Sequence, residues 1–353
     1  MKQRKSRKII IAGFCVISFF GLLAVRSECA QPQTQASQKG FSLKLSGGMG
    51  FFLGGGGDLE NLRQAKISLY KELANDPAYT KTWANWKKLS QAPNFDAELI
   101  FHLSESFGIG IGAGYLTVSS KGDYGHNYQT EGSAWFGTFT MEDDITYQRD
   151  YKITATPVKL NFYFYFPVGT LNIYAYAGAS YYFAKLTHTF VSDATNTVST
   201  YSSIFENTKD EITESDVVTE NAKPSKNKAL GYQGGLGLDI KLMSHAALGL
   251  EFYGRVVNFG DWSGDFKETF TQRRREWYES EGWVSDVTTQ DNFSESGPLW
   301  YYESFSSDLG KYFGQMFVWQ DKPEDLYNQN ARKAKINLNT VGVALTLRIF
   351  FNF

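Results

Sequence analysis

The 353-residue chain has two cysteines, Cys15 and Cys29, and both lie in its first thirty residues. No disulfide framework can hold the rest of the chain, so its stability must come from hydrogen bonds and packing. Histidine is nearly as scarce. His102, His126, His188 and His245 are the four, and none sits at a spacing that makes a zinc site or a nucleophile–base pair. His126 near Asp123 can be drawn as a pair, but a solvated histidine is the simpler reading. With neither a nucleophile elbow nor a ligand pattern, the sequence reads as a non-enzyme with no cofactor and no metal. Beyond the N-terminal segment, no apolar run approaches the roughly 20 residues of a membrane-spanning helix. Removing that segment's six basic residues and its one acid, Glu28, moves the net charge from −2 to −7, which offers no basis for nucleic-acid binding.

What the N-terminus does have is the layout of a secretory signal. MKQRKSRK carries five positive charges, Ile9 to Val25 is a 17-residue apolar stretch, and small residues follow at Ser27 and Ala30. Residues 1-30 therefore read as a signal peptide and 31-40 as a short periplasmic lead. An exported chain without spanning helices can reside in a membrane only as a closed barrel, since nothing else satisfies its backbone in lipid.

Period-two alternation, the mark of a strand with different surroundings on its two faces, recurs along the chain. It is present in FSLKLSGGMGF, FDAELIFHLS, FGIGIGAGYLTVS, TPVKLNFYFYF, LNIYAYAGASYYF, ALGYQGGLGLDIKL, ALGLEFYGRVV and VGVALTLRIFFNF, with the register ambiguous in the fifth. Each reaches the roughly 9 to 11 residues of a tilted membrane strand. Tight connections at Glu105–Ser106, Pro167–Thr170 and Ser244–His245 alternate with long ones at about 53-94, 121-150, 187-228 and 260-335. Outer-membrane barrels alternate in this way, with short periplasmic turns and long outer loops. Both termini then fall on the periplasmic side.

On these strands the chain, over 41-353, resembles the small eight-stranded outer-membrane β-barrel superfamily, the OmpA/OmpX-type barrels, here without a periplasmic domain. The resemblance covers the strands and not the loops. It implies an all-β fold: an eight-stranded antiparallel up-and-down transmembrane barrel with long extracellular loops, one of them partly helical, in a Gram-negative outer membrane. The last strand is similar to the family's assembly signal, with Leu345, Leu347, Ile349, Phe351 and Phe353 at alternate positions. That implies the outer-membrane insertion machinery, outer-membrane lipid and lipopolysaccharide as partners.

With apolar faces toward lipid, the other faces meet inside. They carry Lys44, Lys159, Lys241, Arg255 and Arg348 against Asp96, Glu98, Asp239 and Glu251, with His102 beside them. Five positive and four negative groups suggest an ion-pair network that closes the lumen. The alternatives are a narrow channel for ions or small solutes, with His102 titrating, and a barrel of opposite facing that holds a hydrophobic ligand. In the first loop Asp58 is placed to cap a helix bearing Leu59, Leu62, Leu69 and Leu73, and Asp76–Pro77 to start a second with Trp83 and Trp86. In the fourth, Arg273, Arg274, Arg275, Trp277, Trp283 and Trp300 are candidates to grip an extracellular glycan or protein, against a plainer reading as strands continued past the membrane. Surface interaction, adhesion or envelope integrity is the expected role. Replacing Phe353 with Asp is expected to leave synthesis intact and block insertion, read as loss of the heat-modifiable folded form in outer-membrane fractions.

Overall fold

The computed structural model describes residues 40–53, 56–135, 137–202, 205–224, 229–306 and 310–352. The signal peptide, nearly all of the lead, both cysteines and Phe353 lie outside the described residues. Fifteen strands, all paired antiparallel, make up most of the chain, with one helix among the described residues.

The strands are β1 (Gly40–Phe52), β2 (Tyr79–Trp86), β3 (Gln91–His102), β4 (Phe107–Ala134), β5 (Gly137–Val168), β6 (Leu171–Ser202), β7 (Thr208–Lys223) and β8 (Leu230–Met243). They continue with β9 (Ala246–Phe259), β10 (Ser263–Tyr278), β11 (Gly282–Ser306), β12 (Lys311–Val318), β13 (Asn328–Lys333), β14 (Ile336–Asn337) and β15 (Thr340–Asn352). Helix α1 is Asp58–Leu73. Eight of the strands pair in a circuit: β1 with β3, β3 with β4, β4 with β5, β5 with β6, β6 with β8, β8 with β9, β9 with β15, and β15 again with β1. No strand of that circuit has a free edge along its paired length. The seam is in register, with Lys44 opposite Glu98 on one side and Arg348 on the other.

The other seven strands build outward from the circuit. β6 pairs β8 only from Leu171 to Tyr181, and from Leu186 onward it takes β7, which leads to β10 and β11. β12 and β13 add to β11, β2 lies on the far half of β4, and β14 on β9. Fifteen strands therefore stand where eight were expected; of the segments read as long loops, 121-150, 187-228 and 260-335 are largely sheet, while 53-94 holds helix α1, strand β2 and the start of β3. Their polarity suggested loops, but a sheet face in water is polar too. Runs such as DEITESDVVTE are rich in the β-branched residues that pack well on a pleat.

Each long strand keeps one facing throughout but changes its chemistry partway. On β5, Phe166, Phe164, Phe162, Leu160 and Val158 point out and are exposed, while Tyr165, Tyr163, Asn161 and Lys159 point in and are buried. Past Val158 the outward residues become Thr156, Thr154 and Lys152, and the inward ones Ala155, Ile153 and Tyr151. β6 switches at Phe183/Lys185, β4 at Tyr115/Thr117 and β9 at Val256/Asn258. Two interiors result: a small cluster in the near half, built around Tyr163, Tyr165, Tyr174, Tyr176 and Tyr253, and a larger apolar core in the far half.

Helix α1 contributes to that far core through Leu59, Leu62, Tyr70 and Leu73, lying against β2 and β12. The leucine face follows expectation, but Asp58 does not cap. The residue before the helix is Gly57 at φ 66°, a left-handed conformation that suits glycine. The Asp58 carboxylate instead accepts both Nη1 and Nη2 of Arg332 at 2.6 Å each and the Lys335 amide at 2.7 Å. The second expected helix is strand β2, because the side chains of YTKTWANW alternate against β4 rather than repeating every third or fourth position. Asp58→Ala is expected to cost about 1–2 kcal/mol and to speed trypsin cleavage within α1, checked by limited proteolysis.

Candidate functional site

The near half of the circuit encloses a lattice of charges. β1 places Lys44, β3 Asp96 and Glu98, β5 Lys159, β8 Asp239, β9 Glu251 and Arg255, and β15 Arg348, all inward and nearly fully buried. Lys44 Nζ lies 2.6 Å from Glu251 and 3.9 Å from Glu98, donates to the Tyr163 hydroxyl at 2.9 Å, and sits over the rings of Tyr163, Tyr174 and Tyr176. Glu251 also accepts the hydroxyls of Tyr174 at 3.0 Å and Tyr176 at 2.9 Å. Glu98 accepts Asn161 at 2.9 Å and Tyr163 at 2.7 Å.

Asp96 forms a second knot, held by Arg255 at 2.6 Å and by Lys159, with Asn94 donating at 3.1 Å. Arg348 Nη1 lies 3.0 Å from Asp239 and its guanidinium covers the faces of Tyr174 and Tyr165. His102 is half-buried and shares a 2.8 Å hydrogen bond with Ser42, at the edge of the lattice. Glycine makes room for these acids. A Cβ on Gly110 would collide with the Glu98 carboxylate and one on Gly114 with that of Asp96.

Lys241 is the exception to the expected lumen. It is exposed near the end of β8, beyond the paired circuit's interior, so five cations against four anions become Lys44, Lys159, Arg255 and Arg348 against Asp96, Glu98, Asp239 and Glu251. Each buried charge is thereby matched. Burial of unpaired charge is the costly state, so this balance is what permits so polar an interior. The tyrosines that knit the pairs were visible as the alternate residues of NFYFYF, but those of β6 were not, because Ala and Gly on both faces blurred its register. A barrel filled by a hydrophobic ligand requires the opposite facing of these strands.

Of the residues expected to form an assembly signal, Leu345, Leu347 and Phe351 point outward and are exposed on β15, and Ile349 shares their face half-buried. Of the fourth-loop candidates, the fold keeps five on the β10–β11 hairpin and separates Trp300 from them. Arg273 pairs with Asp286 at 2.5 Å, Arg274 with Asp210 at 3.0 Å, and Arg275 with Glu211 at 3.1 Å while lying 3.8 Å from the centre of the Trp283 ring. Trp277 stands opposite Trp283 across the β10–β11 hairpin. Trp300 is on the same strand as Trp283 but roughly 55 Å along it, at about 3.3 Å per residue, and its indole donates to the Trp319 carbonyl. Among the described residues no cluster of three or more His, Cys, Asp or Glu side chains is placed to hold a metal ion.

In the far half, the inward residues of β4 and β5 include Tyr124, Arg149 and Tyr151, none of which the sequence reading singled out. Burial opposes the Arg149 charge, but the oxygens of Tyr124 and Tyr151 more than offset it and hold its pKa above the ordinary range. Behind Tyr151, the His188 ring stacks on it at 4.0 Å and meets Glu220 at 2.5 Å. Burial, outweighing Glu220, holds His188 below its usual pKa.

No protein-family model and no curated protein matches the sequence. Among solved structures, the chain is similar to the outer membrane protease OmpT from Escherichia coli at 9% identity over 92% of this chain and 99% of that one, with a TM-score of 0.23. It is also similar to CarO from Acinetobacter baumannii at 10% identity over 78% and 98%, with a TM-score of 0.17. The reading of the chain as a non-enzyme does not stand beside the first of these, which is a protease. Likeness at such scores assigns no activity to this chain.

Glu251→Gln is expected to destabilise the fold by about 3–5 kcal/mol, because Lys44 stays buried with its close partner gone. Lys44→Met combined with Glu251→Leu should cost less than that single change. Urea midpoints of the heat-modifiable form check both.

Proposed function

We propose that the chain is an integral outer-membrane protein: an eight-stranded transmembrane barrel of the small OmpA/OmpX type, closed by its ionic lumen, that carries a β-structure for surface interaction outside the membrane. The observation that carries this reading is the change of facing chemistry along unbroken strands. From Ile173 to Phe183 the outward face of β6 is apolar with no charge, roughly 33 Å of strand at about 3.3 Å per residue. Tilted by about 40°, it spans roughly the 25 Å apolar band of outer-membrane barrels. Exposed Phe, Leu, Ile and Val on all eight strands of the circuit continue this belt. In water that surface is an aggregation hazard; in lipid it is the ordinary exterior.

The closed lumen is supported by the balance of four buried cations with four buried carboxylates and by the tyrosines packed among them, with Tyr163 5.3 Å from Tyr176. Outer-membrane lipid and lipopolysaccharide surround the belt in this reading, and the insertion machinery receives β15. The far half, with its polar outer face and paired arginines, is the part that meets an extracellular glycan or protein.

The membrane face is tested on β5. Phe162→Arg, near the middle of the belt, is expected to cost about 2–4 kcal/mol and to lower the yield of folded protein in outer-membrane fractions, whereas Thr154→Arg, past the switch, should leave both unchanged. Equal effects at the two positions would sink the membrane reading. Planar bilayers test the lumen. No steady conductance is expected, and single-channel openings abolished by Arg348→Ala would show it to be a pore.

A further inference from the structure

In the far half, α1, the inner faces of β4 and β5 and strand β12 enclose a cavity of about 300 Å3. Its wall is mostly aromatic and aliphatic, with Tyr70, Phe190 and Phe317 prominent, yet two cations reach it, Lys66 from the helix and Arg149 from β5. No carboxylate lines it. Arg149 is 3% exposed; its Nε donates to the Tyr124 hydroxyl at 2.7 Å and its Nη1 to that of Tyr151 at 3.2 Å. Its guanidinium lies 4.5 Å from the Phe190 ring centre and 5.2 Å from that of Phe317. Lys66 is 7% exposed, and among the described residues it has neither a hydrogen bond nor an ion pair.

The lumen provides the comparison within the same molecule. There, each of four buried cations lies against a carboxylate, Lys159 and Arg255 both on Asp96 and Lys44 near both Glu251 and Glu98. In the chamber two buried cations share none. Glu220, behind Tyr151, is occupied by His188 and by the Val318 amide. Burial first, and the charge of Arg149 second, push the Lys66 ammonium down to about 7. The remaining titratable groups of the wall are Tyr70, Tyr124, His126 and Tyr147, and none brings a negative charge at neutral pH. A guanidinium has five donors in a fixed fork; Tyr124 and Tyr151, and Gln315 at 3.5 Å from Nη2, take three of them and orient it, which leaves two for a planar acid group. An anion between the two cations relieves both their desolvation and their mutual repulsion.

We propose that this chamber binds a small organic anion, a carboxylate or phosphate monoester on a flat apolar body, with its head group between Arg149 and Lys66 and its body against Tyr70, Phe190 and Phe317. The volume is at the lower end of small-molecule sites, about 300–1,000 Å3, which limits the body to about one ring system. The inference goes beyond the barrel and its closed lumen, neither of which requires a ligand, so either reading can fail while the other stands.

The test is isothermal titration of the full chain in lipid nanodiscs with benzoate and with phenyl phosphate, and with benzyl alcohol as the neutral control. At least one of the two anions is expected to bind at a single site, about tenfold or more tighter than the alcohol, a difference of ~1.4 kcal/mol. Lys66→Met, which keeps the apolar stem, and Arg149→Gln should each weaken the anion by about tenfold or more. Leu73→Trp, which fills the cavity and leaves both charges, should abolish binding while the heat-modifiable fold persists. No heat with either anion, equal binding of the alcohol, or unchanged affinity in Lys66→Met overturns the proposal. So does binding of short-chain phosphatidylglycerol micelles without phenyl phosphate, which reassigns the cations to a lipid headgroup.

Discussion

Alternate side chains of a strand point to opposite sides whatever surrounds them, and the long strands of this protein keep one facing from end to end. All else in the structure depends on that constraint. Because Tyr165, Lys159, Ile153 and Arg149 on β5 share a facing, they enter one continuous interior, although the first pair belongs to a polar lattice and Ile153 to an apolar core. The outer face changes in the opposite sense between Val158 and Thr156. A single ladder of hydrogen bonds therefore runs through both halves, and the side chains alone adapt.

The two interiors solve burial differently. In the near half the exterior is apolar, so polar residues are left for the inside, and the fold must match each charge in a space with little water. Tyrosine serves this well: its ring packs and covers a cation, as around Lys44, while its hydroxyl satisfies a carboxylate, as at Glu251. In the far half the inside is an ordinary apolar core, sealed by α1 and β12, and the matching rule lapses at Lys66 and Arg149. That contrast, more than either cation alone, marks the chamber as a place where a ligand supplies what the chain does not.

Much of the near half was legible in the sequence. The alternation of NFYFYF and VALTLRIFF places charged and apolar residues on opposite faces, and eight of the ten lumen residues read from such patterns, all but His102 and Lys241, lie buried or nearly so inside the circuit. Lys241 failed because alternation gives a facing but not the depth at which a strand leaves the interior. β6 was ambiguous because Ala and Gly alternate with tyrosine without a polarity contrast. The second and third outer segments misread as loops for a related reason: solvated sheet and solvated loop have similar composition, and pattern alone does not separate them; in the fourth, the plainer reading as continued strands matches the β10–β11 hairpin.

The sequence by itself determined which alternate residues share a face on the strands with a clear polarity contrast, and the stock of charges available to the lumen, because those follow from a local two-residue period. Pairings were decided only in three dimensions. Lys44 meets Glu251 across 207 residues, and Lys66 faces Arg149 only because a helix is set against a sheet by the Asp58–Arg332 clamp, itself 274 residues wide. No local pattern encodes which charge finds a partner and which is left without one. That depends on strand order, on register and on what covers the open end of the sheet.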